Sequence, residues 1–184
     1  MIIPTPITIL LIAFLGLMLY FVLIANVYGA PFVPTPMKAV RRMLELAKIK
    51  PGHVVVDIGC GDGRLPIMAD QVYHAQAFGF ELSPPIYLYA KLRIKFKKIK
   101  TKALIAFKDS RYINMSDVDA VVLFMMPGPL RDFWKKKFEN ELKSSALVIS
   151  YAFSVPGWNP SHEEAPIKEE NIGPIYVYKM SEIY

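Results

Sequence analysis

The residues with most chemical content are the block Val54-Val55-Val56-Asp57-Ile58-Gly59-Cys60-Gly61-Asp62-Gly63-Arg64. It reads as a buried strand running into a turn with glycines at alternate positions, and then into a helix. Glycines so spaced allow a tight turn with positive φ and let a ligand approach backbone amides with no Cβ in the way. In an open parallel sheet such a turn stands at the carboxyl end of a strand, where ligands bind. A dinucleotide site wants G-x-G-x-x-G, so that a pyrophosphate meets the helix N-terminus. Here the spacing is G-x-G-x-G, and Asp57 sits two residues before the first glycine. That carboxylate would repel a pyrophosphate but suits the ammonium of an amino-acid moiety, directly or through water. The turn, Asp57 with Gly59, Cys60, Gly61 and Gly63, therefore reads as a site for S-adenosylmethionine.

Two further acids belong to the same expectation. Glu81 ends a strand at 77–80, about 20 residues beyond the turn, where a carboxylate can accept both ribose hydroxyls; it also suits the N-terminus of the helix that follows Ser83-Pro84. Asp109 follows a strand at 103–107 and could accept from an adenine amino group, although a plain loop aspartate reads the same way. His53, His74 and His162 show no metal-ligand spacing, so no metal is expected. Methyl transfer from a sulfonium is an in-line displacement in which a protein mainly supplies positioning and electrostatics. No covalent nucleophile is needed, and none is evident.

The elements that must hold these residues alternate. Apolar residues at Val40, Met43, Leu44 and Ala47 predict a helix over 37–48, stopped by Pro51-Gly52. Strands follow at 54–58, 77–80, 103–107, 120–125 and 146–151, with helices at 65–72, 84–96 and 130–142. Near-continuous apolar strands alternating with helices predict a mostly parallel sheet covered on both faces. The alternating stretch 175–180 predicts a late antiparallel strand.

Ahead of this domain, residues 7–25 are apolar throughout except for Thr8 and Gly16, and the first charged side chain is Lys38. Such a run spans roughly 28 Å as a helix, and no Lys or Arg precedes it as a cleaved signal would require. The expected organisation is a transmembrane anchor at 1–26, a Pro/Gly-rich tether at 27–36 and a catalytic domain at 37–184. Lys38, Arg41, Arg42, Lys48 and Lys50 would place that domain on the cytoplasmic side. Cys60 is the only cysteine, so no intrachain disulfide can form. Much of the net charge of +6 lies between Lys91 and Lys102, read as a solvated helix face, a contact for anionic lipid or a contact for an acidic partner. No nucleic-acid recognition motif is present, so no nucleic acid is expected as partner.

Several motifs occur in a telling order: Pro31-Phe32-Val33-Pro34-Thr35-Pro36, the glycine block, Gly79-Phe80-Glu81-Leu82, Phe124-Met125-Met126-Pro127, Ser150-Tyr151-Ala152-Phe153 and Gly157-Trp158-Asn159-Pro160. The chain resembles the small class I protein-lysine methyltransferases, a family that includes a broad-specificity archaeal enzyme and mitochondrial enzymes acting on the ATP synthase c-subunit and the adenine nucleotide translocase. The resemblance covers about 31–180. It departs at Pro66, where relatives tend to carry an aliphatic helix, and in the unusually basic segment after it. It implies a Rossmann-like α/β fold, S-adenosylmethionine as cofactor with Thr35 joining its site, and a lysine acceptor at or near a membrane. An attacking lysine must be neutral although its ordinary pKa is about 10.4, and aromatic walls that tolerate the cationic product suit the task. Phe124, Tyr151, Phe153 and Trp158 follow strands whose ends should face the cofactor, and each could equally be a core aromatic. Tyr151 is preferred, because its hydroxyl could orient an amine. The alternatives are methylation of a lipid or small molecule at the membrane, and a catalytically silent scaffold that keeps the fold.

Overall fold

The computed structural model describes residues 5–28 and 32–183, with residues 21–28 described by their backbone alone. Two compact units, 1–31 and 32–184, divide the chain. The first contains helix α1, Pro6–Tyr28. Its described side chains run from Pro6 to Tyr20, and many of them are exposed apolar groups, such as Ile7, Leu10 and Ile12. Among the described residues no helix is long and apolar enough to cross a membrane. This corrects the expectation of a single-pass anchor with the domain on the cytoplasmic side. α1 itself runs to Tyr28. Residues 1–4 of the expected anchor and 29–31 of the tether lie outside the described residues.

The second unit is a seven-stranded sheet in the order β3-β2-β1-β4-β5-β7-β6. The strands are β1 Val54–Ile58, β2 Gln76–Glu81, β3 Leu104–Phe107, β4 Ala120–Leu123, β5 Leu147–Tyr151, β6 His162–Glu164 and β7 Ile175–Lys179. β1 to β5 run parallel, and β7 is antiparallel to both β5 and β6. The helices are α2 Met37–Leu46, α3 Arg64–Tyr73 and α4 Pro84–Phe96. A last helical segment starts with one turn, α5 Pro127–Pro129, passes through a π-helical stretch Leu130–Trp134 and ends as α6 Lys135–Glu141.

The period of two along each strand sorts the core onto two faces. Val55, Ala77, Val122 and Ile149 pack with Val40, Met43 and Leu44 of α2 and Leu65, Met68 and Ala69 of α3. Val56, Ile58, Val121, Leu123 and Val148 pack on the other face with Leu130, Trp134 and Phe138. Pro66 is the third residue of α3, where a backbone N–H has no intrahelical partner, so the helix tolerates it. Because they run parallel, β1, β2, β4 and β5 end their carboxyl sides along one rim of the sheet, and the candidate site is built on that rim.

Candidate active site

The turn after β1 is shaped by three positive-φ glycines, at +73° for Gly59, +56° for Gly61 and +77° for Gly63, a backbone that residues with a Cβ adopt at a cost. The amides of Gly59 and Cys60 both donate to the Phe80 carbonyl, at 2.9 and 3.0 Å, and Gly63 N–H donates to the Cys60 carbonyl at 2.9 Å. β2 can approach this closely because residue 79 is glycine. A Cβ there would stand 2.7 Å from Cys60 Sγ and 2.8 Å from its Cβ.

Glu81, the last residue of β2, is buried and reaches back to the turn. Its Oε2 accepts from Gly61 N–H at 3.0 Å, and its Oε1 accepts from Leu82 and Ser83 N–H at 2.9 and 2.7 Å. The backbone thus fixes the carboxylate at the strand tip. Asp57 is 7% exposed. Burial, and then the charges of Glu81 and Asp62, push its pKa up to about 8. Asp62 behaves oppositely: burial opposes its charge, but hydrogen bonds and charge from Arg64, with the charge of Arg93, hold its carboxyl below the ordinary value. The Cys60 thiol is pushed well up by burial and by Asp57, Glu81 and Asp62, so it is no nucleophile at neutral pH. A turn open at Gly59, with a buried carboxylate whose ionisation lacks a counter-charge, fits a ligand carrying a cationic amino-acid end.

A cleft of about 540 Å³ opens beside this rim. It is lined by Val33, Pro34 and Pro36, by Phe124 and Tyr151, and by Asn171, Ile172 and Gly173. Leu123 pairs with Ile58 and Ser150 with Leu123. Phe124 therefore stands one strand from the glycine turn and Tyr151 two, within about 10 Å at ordinary strand spacing. Phe124 meets Tyr151 edge-on at 5.1 Å and stacks on Phe153 at 6.1 Å. Tyr151 Oη accepts from Gly173 N–H at 2.9 Å, which keeps a lone pair and its own proton for a ligand. Ala152 has φ +66°, a strained conformation for alanine, and it turns the chain so that Phe153 returns against Phe124.

The structure thus brings Asp57, the glycines and Glu81 together, and groups Phe124, Tyr151 and Phe153 nearby. It does not bring Trp158 to them. Trp158 is buried between Phe138 and Tyr178, and its Nε1 donates to Glu139 at 2.9 Å. Asp109 caps the short helical turn Ser110–Tyr112, accepting from Arg111 N–H, and its carboxylate pairs with the Arg111 guanidinium at 2.6 Å. The Thr35 carbonyl accepts from Arg64 Nη1 at 2.7 Å. Sequence reasoning missed the role of Arg64, although it directly follows the glycine block. It also missed Gly173 and Asn171, in a loop with no pattern of its own. Lys91, Lys95, Lys97, Lys98, Lys100 and Lys102 are exposed, on α4 and just beyond it. No cluster of metal-ligating side chains occurs among the described residues.

The strand order, and a glycine turn facing an acid at the tip of the next strand, define the class as a class I methyltransferase fold. In agreement, a family model described as the ANTKMT methyltransferase domain matches residues 57–162. A protein-lysine N-methyltransferase from Saccharolobus islandicus is 34% identical over 154 residues, covering 83% of this chain and 94% of that protein. A lysine N-methyltransferase of the ATP synthase c-subunit from Xenopus laevis is 31% identical over 150 residues, covering 82% of this chain but only 63% of its own length. Among solved structures, an RNA methyltransferase from Salinibacter ruber in complex with S-adenosyl-L-homocysteine superposes with a TM-score of 0.72 at 26% identity, covering 80% of this chain and 94% of that one. The chain belongs to the ANTKMT methyltransferase domain family, and is an S-adenosylmethionine-dependent methyltransferase.

Proposed function

We propose that this chain methylates the ε-amino group of lysine in a protein. The observation that carries the reading is the aromatic cleft of Phe124 and Tyr151 set one and two strands from the glycine turn. S-adenosylmethionine supplies the methyl group as an electrophilic carbon on a sulfonium. Asp57 would face its ammonium, the turn, open at Gly59, would admit it against the backbone, and Glu81 would accept from its ribose.

Phe124 and Tyr151, with Phe153 stacked on Phe124, would line the acceptor's approach with apolar rings, which favours the neutral amine, and Tyr151 Oη offers the lone pair that aims it. Lys168 at the cleft adds a like charge that works in the same direction. The amine lone pair forms the new N–C bond as the S–C bond breaks, and the product ammonium then gives its surplus proton to solvent. The strand end at Phe124 lacks the Asn/Asp-Pro-Pro-aromatic block used on base amino groups, which separates this reading from nucleic-acid methylation.

The test is to incubate the purified chain with labelled S-adenosylmethionine and whole-cell protein, RNA and lipid fractions, and to map the label by mass spectrometry. Label on lysine that disappears with Glu81→Ala supports the reading. Label confined to RNA or lipid overturns the acceptor, and failure to bind S-adenosylhomocysteine favours the silent scaffold.

A further inference from the structure

One short segment serves both halves of the site. Residues 32–36 run without helix or strand. The Phe32 ring rests on the middle glycine of the turn: a Cβ built on Gly61 would lie 2.4 Å from Phe32 Cε2 and 3.0 Å from Cδ2. The ring thus takes up the open side of Gly61, the side that absence of a side chain leaves for a ligand. The residues that follow, Val33, Pro34 and Pro36, line the acceptor cleft.

The segment is also pinned to the turn. Arg64 Nη1 donates to the Thr35 carbonyl at 2.7 Å, while Arg64 Nε and Nη2 grip the Asp62 carboxylate at 2.8 and 2.9 Å. Arg93 Nη1 from α4 donates to the Asp62 carbonyl at 3.1 Å. Two prolines with fixed φ make the strap stiff, so a shift at Phe32 is passed to the cleft wall rather than absorbed between them.

We propose that this strap couples the two sites, with Phe32 and Arg64 as positioning residues, so that cofactor and acceptor amine favour each other's binding. Whichever ligand arrives first meets the cost of lifting the strap from its resting place on Gly61, and the second does not, which is positive coupling with equal effect in both directions. The inference rests on the cofactor reading of the glycine turn.

Calorimetry on the full chain tests it, with S-adenosylhomocysteine as the first probe and n-butylamine, the lysine side chain without its backbone, as the second. Saturating n-butylamine should tighten S-adenosylhomocysteine about fivefold or more, the low end of ordinary coupling. In Phe32→Ala the factor should fall below about twofold while S-adenosylhomocysteine alone binds at least as tightly. Phe32→Leu, which keeps an apolar group on Gly61, should recover part of the coupling, and Arg64→Gln, which frees the Thr35 carbonyl, should lose it. Absence of any n-butylamine effect in the unaltered chain, or equal coupling in Phe32→Ala, overturns the proposal. Loss of S-adenosylhomocysteine binding by the unaltered chain would overturn the cofactor reading instead.

Discussion

Replacing Asp57 by asparagine should stabilise the ligand-free protein while weakening its hold on the cofactor. Asp57 is 7% exposed, and burial together with Glu81 and Asp62 raises its pKa from the ordinary 3.8 to about 8. Between those values the folded chain keeps a proton that the unfolded chain has released, so stability is full below the lower value and falls as pH rises through the window. At about 1.36 kcal/mol per pH unit, keeping Asp57 neutral costs the fold up to about 4 kcal/mol at pH 7 and about 2 kcal/mol at pH 5. Asparagine carries no such cost. Urea unfolding of the ligand-free variant should show a gain of about 2–4 kcal/mol at pH 7 that shrinks at pH 5. S-adenosylhomocysteine should bind the variant less tightly, because its ammonium no longer meets a carboxylate. In the unaltered chain, binding near pH 7 should release a proton, seen as a binding heat that depends on the buffer. A variant less stable at pH 7, or an equal gain at both pH values, would refute the electrostatic argument.

Three other changes probe separate parts of the site. Gly79→Ala forces a methyl group to 2.7 Å from Cys60 Sγ and should cost about 1–3 kcal/mol in urea unfolding, with partial recovery when Cys60→Ala is added. Ala152→Gly removes the strain of a φ of +66° and should raise stability by about 1 kcal/mol, measured by thermal unfolding. Tyr151→Phe deletes the acceptor of the Gly173 amide and the group offered to the amine. It should lower kcat for lysine methylation about tenfold, the worth of one such hydrogen bond, with the KM for S-adenosylmethionine little changed.

The sheet was largely legible because its parallel strands are short apolar runs with turn residues between them. The observed bounds of β1, β2, β3 and β5 fall within one residue of the periodicity reading. β6 was not legible: His162–Glu164 is three polar residues on an edge, and only its pairing with β7 makes it a strand. The helix expected at 130–142 begins earlier, at Pro127, and passes through a π turn, which no side-chain period announces. The glycine block and Glu81 could be read because local spacing fixes their geometry. Trp158 could not be placed, since an aromatic after a strand suits either a cleft or a core, and here Phe138 and Tyr178 enclose it. Asp109 could not be placed because Arg111, two residues on, competes for its carboxylate. Nor does any sequence pattern announce that Phe32 lies on Gly61.

The state of Cys60 has a practical consequence. It is the chain's sole thiol, it is buried within the turn, and its surroundings keep it protonated. The native protein should therefore be nearly inert toward maleimides and disulfide reagents at neutral pH. One cysteine introduced directly after the strap, at the exposed Met37, which does not line the cleft, would then be the single reactive handle in the molecule. A dye attached there would report strap position as ligands are added, with no need to remove a native cysteine from the turn that holds the cofactor.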